Sequence, residues 1–454
     1  MTVTRKYQQK LRSDISVIDL VENGSTVVCN GGPGLPNRFL QVLAQNAGRF
    51  RDVQLCHPMR RETLDLSPEL TSEKNEGHIF HVSDYSFDKP VISAIREGRA
   101  VYRPNHPMDC ARYFPYEVDL LVIPVSPMDR HGYFSLGAFG GWIMSFVPKA
   151  KRIVLEVNRH QPRVLGHCFV HIDQIDFLFE ADYPLSSIEV GAMEPTPEER
   201  ALAGFVADIV PDGATIQAGV GQVPMSLLGM LKDAGKKDLG VHSEAMFDSM
   251  AELFEAGVIT NARKTIHPGK FTFAVVIGSK RIYDFIDDNP AAEMFDIKYV
   301  TDPRVICRNY RPFSINGTIQ VDLSGQCASE TLGHLHYSGV GGQWGFHYGA
   351  ALAEDGKSVM TLPSTAKAGT ISRIVPMLPQ GSAVSISRND VQYVATEYGI
   401  VNLKGATLEE RALKLISIAH PKFRDALMQS AHDELRLILR QSHARPDNRK
   451  ETKQ

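Results

Sequence analysis

TVVCNGGPGLPNRFLQVL (26–43) can be laid on ATIQAGVGQVPMSLLGML (214–231) without a gap. Each reads as a β-forming run, a glycine-rich loop, a proline and an apolar helix. Gly31 falls on Gly219, Pro36 on Pro224, Leu40 on Leu228 and Leu43 on Leu231. Strand, glycine loop, proline and helix follow one another in many α/β proteins, so the overlay also has a bland reading. In a chain of 454 residues, too long for one ordinary core, the repeat predicts two domains of similar fold.

The flanking sequence agrees. Short β-branched runs at 25–28, 120–125, 152–157, 215–217, 273–277, 358–362 and 383–386 alternate with amphipathic stretches at 38–45, 197–206, 225–233, 249–256 and 408–419. This alternation predicts α/β architecture with mostly parallel sheets. The run 388–400 alternates like a further core strand. A break falls in VGAMEPTPEER (190–200), where Thr196 and Pro197 suit the N-cap and first turn of a helix. The expected division is therefore 1–190, 191–435 and a polar tail at 436–454.

Composition narrows the function classes. Apolar residues make up 43% and charged residues 22%, as in ordinary globular chains. A formal net charge of -3 leaves no electrostatic footprint for nucleic acid or an anionic membrane. The N-terminus lacks an apolar signal core, and no apolar run reaches membrane-spanning length. A cytoplasmic protein is expected. The six cysteines are scattered without C-x-x-C spacing and read as free thiols.

Chemistry has four candidate seats. GVGQVP (219–224) follows a strand and opens a helix, so its backbone N–H groups can face an anion or a developing oxyanion; an ordinary tight turn is the alternative. Glu244, in VHSEAMFDSM (241–250), follows a short apolar run, where the end of a parallel strand projects into a crevice; a surface helix-capping glutamate is the alternative. In the overlay Glu244 falls on Cys56, so only the second copy carries the carboxylate. Gly339, Gly341, Gly342 and Gly345 crowd the start of a helix in YSGVGGQWGFHYGAAL (337–352) and would let backbone approach a thioester, or simply make a turn. Lys367, in LPSTAKAGTISRIVP (362–376), either reaches a phosphate or is solvated. His334, His336 and His347 lack the spacing of a metal site.

These motifs together resemble the acetyl-CoA hydrolase/transferase family, especially its 4-hydroxybutyrate and butyryl-CoA:acetate CoA-transferase branch. The resemblance also rests on SPMDRHGYFSLG (126–137), DLGVHSEAMFD (238–248), AGVITNARKT (256–265), TEYGIVNLKG (396–405) and LISIAHPKFR (415–424), and it covers nearly the whole chain. It implies two open-sheet α/β domains with the active site between them, and usually a homodimer. It implies a nucleophilic Glu244, and CoA contacts at Gly219, Val220, Gly221, Gln222, Val223, Ile319, Gly341, Gly342 and Lys367. Coenzyme A would be substrate and covalent intermediate, with no permanently bound cofactor and no metal.

Three departures stand out. Gln222 replaces a usual glycine, Gly345 a common acidic residue, and 138–150 carries the bulk of Trp142 and Phe146; all are expected to adjust the acceptor pocket. A second carboxylate on the acceptor would need a basic partner, for which Arg38 and the pair Arg60–Arg61 are candidates, with a solvated surface role as the leading alternative for each. The competing readings are a hydrolase using the same glutamate and a non-catalytic CoA or metabolite sensor.

Overall fold

The computed structural model describes residues 2–57, 67–83, 89–187 and 194–437. The expected boundary near 190, the pair Arg60–Arg61 and most of the polar tail lie outside them. Two parallel sheets dominate. The first has seven strands, all parallel, in the spatial order Phe177–Ala181, Ile153–Asn158, Leu120–Val125, Thr26–Cys29, Val53–His57, Ile79–Ser83 and Ala100–Tyr102. The second has six, in the order Gly240–Val241, Thr215–Ala218, Pro312–Gly317, Lys357–Thr361, Tyr393–Thr396 and Gly399–Asn402, with only the last antiparallel. The central strands are buried on both faces, as the apolar run Leu120–Val125 requires; Ile153–Asn158 is equally buried and carries Glu156 and Asn158 inside with it.

In each sheet the first strand of the repeat lies between the next strand and a much later one. Chain direction thus switches sides at Thr26–Cys29 and at Thr215–Ala218, the point where an α/β sheet opens a crevice. The helices that follow are Asn37–Gln45 and Gln222–Asp233. Thr196 caps the helix Pro197–Ile209 in a capping box with Glu199. Two expectations are corrected. Residues 383–386 form no strand, only a bridge from Ile386 to Cys327. The run at 273–277 is split into Phe271–Phe273 and Val275–Val276, because Ala274 leaves the ladder to bind elsewhere. The run at 388–400 forms a hairpin that buries Val391, Val394 and Ala395.

The halves are stapled together. Gly166 pairs with Met294 so closely that a Cβ there would lie 2.6 Å from the Met294 nitrogen. One apolar cluster runs through both halves, joining Phe139 and Trp142 to Val275 and Met294. Trp142 and Phe146 are core residues, stacked on Phe139 and edge-on to Phe114 respectively.

The two copies of the loop end differently. In the first, the amides of Arg38 and Phe39 donate to the buried Glu156 carboxylate at 3.3 and 2.9 Å, and the Tyr183 hydroxyl adds a third donor. The chain's own carboxylate thus fills the anion position at this helix N-terminus. Burial pushes the Glu156 carboxyl up to about 7. An acid whose folded-state pKa is raised takes up a proton on folding, so stability falls as pH rises from the unfolded carboxyl range through about 7. Wild type should therefore lose more stability than Glu156→Gln between pH 5 and pH 8, read from urea midpoints. Glu156→Ala should cost roughly 2–4 kcal/mol by orphaning these donors.

Candidate active site

The second copy is open. A cavity of about 470 Å³ lies at the carboxyl ends of four neighbouring strands of the second sheet. Gly219, Val220, Gly221 and Val223 form one wall, Asn316 to Ile319 another, and Thr361, Pro363 and Arg373 a third, with Glu244 and Ala245 between. Every lining residue among those described comes from 199–373. The first half supports the site from behind: Val276 N donates to Ala138 O and Gly141 N to Ala274 O, each backing the Val275 wall.

Glu244 sits at a bend between Gly240–Val241 and the short strand Ala245–Met246. Its carbonyl accepts the amides of Ala274 and Val275 at 3.1 and 3.0 Å, which is why the neighbouring strand breaks at Ala274. Its Oε2 accepts the Gly342 N–H at 2.7 Å. Among the described residues Oε1 has no protein partner, and Glu244 lines the cavity. Loss of solvent pushes the carboxyl up to about 7, while the Gly342 amide pulls it down.

The glycines have steric reasons. Gly341 has a φ of 58°, left-handed backbone that glycine adopts freely, and this turn presents the Gly342 amide. A Cβ on Gly219 would lie 2.9 Å from Asn316 Oδ1. Asn316 is held in turn: its amide donates to Gln217 Oε1 at 3.1 Å and to Ser314 Oγ at 2.9 Å, and its Oδ1 accepts from Gln217 at 3.1 Å. A Cβ on Gly345 would run into the Thr301 carbonyl oxygen. The departure at Gly345 therefore serves close packing of helix Gln343–Leu352, not the cavity.

Of the predicted residues, Glu244, Gly219, Val220, Gly221, Val223 and Ile319 share this cavity, and Gly342 joins through its hydrogen bond to Glu244. Gln222 is the first residue of the adjoining helix. Lys367 lies apart, exposed with φ 49° in the turn joining Thr365–Ala366 to Ile371–Ser372. Trp142 and Phe146 are not among the lining residues, so their bulk sits in the core rather than the pocket. Arg38 is occupied by Asp14 and Gln41. His347 is buried against Ser358, and His336 packs on Tyr102. Cys56, the counterpart of Glu244, is buried in its sheet. None of the cysteines forms a disulfide. No helix among the described residues is long and apolar enough to cross a membrane.

Sequence reading missed the support beneath Glu244. Lys264 is 3% exposed, and its ammonium donates to Val241 O, Lys270 O and Thr272 Oγ1 at 2.8, 2.6 and 2.8 Å. Asn261 accepts the Val241 N–H at 2.8 Å. Both peptide groups of Val241 are thereby fixed three residues before Glu244, and Thr272 is tied to the same cation. The signal was present in AGVITNARKT, but nothing local says that a lysine there is buried. Burial lowers Lys264 to about 7. Lys264→Met should keep the fold and KM within about threefold, while lowering kcat roughly 10–100-fold through misplacement of Glu244. Steady-state kinetics beside circular dichroism checks this.

The description "Acetyl-CoA hydrolase/transferase N-terminal domain" matches residues 1–188, and "Acetyl-CoA hydrolase/transferase C-terminal domain" matches 278–431. Glu244 lies between the two matched stretches. Longer matches span it: a 4-hydroxybutyrate coenzyme A transferase from Clostridium kluyveri is 39% identical over 93% of this chain and 97% of that protein. A succinyl-CoA:cyclohexane-1-carboxylate CoA transferase from Geobacter metallireducens is 38% identical over 94% and 96%. The crystal structure of RipA from Yersinia pestis superposes with a TM-score of 0.90 at 34% identity, covering 96% of this chain and all of that one. The shared fold, the whole-length identity and the two matched domains have one consequence: the chain belongs to the acetyl-CoA hydrolase/transferase family.

Proposed function

We propose that the protein is a CoA-transferase that moves CoA between small carboxylic acids through a thioester on Glu244. The observation that carries this reading is a carboxylate in the cavity wall with one oxygen held by the Gly342 amide and the other unpartnered among the described residues. The relatives named as CoA transferases at 38 and 39% identity support transfer over hydrolysis.

In the first step the ionised Glu244 attacks the acyl-CoA carbonyl carbon. The C–S bond breaks, CoA leaves as thiolate, and an acyl-glutamyl anhydride remains. The thiolate then attacks the glutamyl carbonyl carbon and expels the acyl group as a carboxylate, leaving glutamyl-CoA. An incoming carboxylate attacks that thioester and releases thiolate, which attacks the new acyl carbonyl; the new acyl-CoA departs and Glu244 is free again. Ping-pong kinetics follow. Backbone amides of Val220 to Val223 are suited to the transient oxyanions, where one lost donor typically costs about 3–4 kcal/mol. CoA would run along Gly219, Val220, Gly221, Gln222, Val223, Ile319, Gly341 and Gly342, with Lys367 reaching the nucleotide end.

Acceptors of two to five carbons fit this reading: acetate, butyrate, 4-hydroxybutyrate, succinate or itaconate. A cytoplasmic homodimer, divided near residue 190, is the assembly that the family resemblance supports. The test is intact mass after mixing with acetyl-CoA or succinyl-CoA in the absence of acceptor. A CoA adduct on the peptide carrying Glu244, discharged by acetate or butyrate into a new acyl-CoA, is expected. Steady CoA release without an adduct would replace the reading with hydrolysis, and CoA binding without either would replace it with sensing.

A further inference from the structure

Arg373 is the single cationic side chain lining the Glu244 cavity among the described residues. Its backbone is pinned on both sides: its N–H donates to Ser364 O at 2.9 Å, and its carbonyl accepts from Val321 N at 3.0 Å. The side chain therefore starts from a fixed point between Ile371–Ser372 and Ile374–Val375. Its buried Nε has no hydrogen-bond partner, and no carboxylate of the described residues pairs with the guanidinium. Arg373 feels the charge of Glu397, but that carboxylate is taken by the Ser364 N–H at 2.8 Å and the Ser364 hydroxyl. The other ionisable groups on the wall, Glu199 and Glu244, are both acidic.

A half-buried guanidinium with an orphaned donor is costly, and the cost is recovered when an oxyanion enters. Its planar fork matches the two oxygens of a carboxylate or phosphate. We propose that Arg373 is the anion-recognition residue of this cavity, taking a substrate oxyanion that is either a phosphate of CoA or the distal carboxylate of a dicarboxylic acyl group. The inference rests on reading the cavity as the acyl-CoA site and adds to it which wall holds the substrate's charge.

Arg373→Gln and Arg373→Lys are compared with wild type on acetyl-CoA, succinyl-CoA, acetyl-pantetheine and succinyl-pantetheine. The Gln variant should raise KM about 10–100-fold for substrates that carry the anion, and the Lys variant should recover part of it. A loss shared by both CoA thioesters and absent from acetyl-pantetheine identifies the phosphate. A loss confined to the two succinyl thioesters identifies the carboxylate. Unchanged KM throughout, or an equal loss on acetyl-pantetheine, which offers no anion, overturns the proposal. Calorimetric titration of wild type and variants with CoA and with succinate reads the same contact without turnover. If wild type forms no glutamyl-CoA, the Glu244 mechanism fails while the titration still decides Arg373. Should the Gln variant melt before assay, the Lys variant carries the comparison, since it keeps the charge and loses the fork.

Discussion

Glu244→Gln is expected to lower CoA transfer at least about a thousandfold, and no CoA adduct should appear by intact mass. The amide is nearly the same shape and can keep the contact with Gly342, so the loss reports nucleophilicity rather than packing. Glu244→Asp keeps the charge but withdraws it by one methylene, and roughly a hundredfold loss should follow from misplacement alone. Wild-type kcat/KM should follow ionisation of the free carboxyl. Burial raises it to about 7, so the rate climbs as pH passes through that value and levels above it. A flat profile between pH 5.5 and 8.5 would refute an ionised Glu244 as the attacking group. The raised pKa has a chemical use: a desolvated carboxylate is a stronger nucleophile toward a thioester than a hydrated one.

The second large effect is at Gly342. A Cβ there would meet the Glu244 Oε2 itself, and would lie 2.9 Å from Thr301 Cγ2 and 3.0 Å from Phe346 Cε2. The φ of -75° is open to any residue, so the obstacle is the carboxylate and not the backbone. Gly342→Ala should therefore fold, yet turn Glu244 away from its donor. A kcat loss of about a hundredfold is expected. The pH midpoint should also move upward, because the amide that favours the charged form is lost. Loss of rate without any shift in the pH profile would mean that the Gly342 amide does not touch the reacting carboxylate.

The alternation of runs and the repeat at 26–43 and 214–231 were enough for two parallel sheets, because strand and helix periodicities and glycine-loop chemistry are local. The expected strand at 120–125 matches Leu120–Val125, and most other edges shift by one or two residues. The failures are instructive. Residues 383–386 have strand composition but make a single β-bridge, to Cys327, and a ladder needs a neighbour that no local sequence can supply. Trp142 and Phe146 looked like pocket bulk, and Gly345 like a pocket change; burial and the Thr301 carbonyl place all three in packing roles.

The sequence by itself determined the architecture, the family and the candidate carboxylate, since these are written in short ordered motifs. Tertiary structure alone decided which loop is open. Both copies present a helix N-terminus, and only the fold brings Glu156 from more than a hundred residues away to fill the first, leaving the second to a ligand. It alone brought Gly342 onto Glu244, put Lys264 beneath it, and left Arg373 on the wall without a salt-bridge partner among the described residues. Desolvation and pairing between distant residues set the charge of each of these groups, and neither quantity exists until the chain has closed on itself.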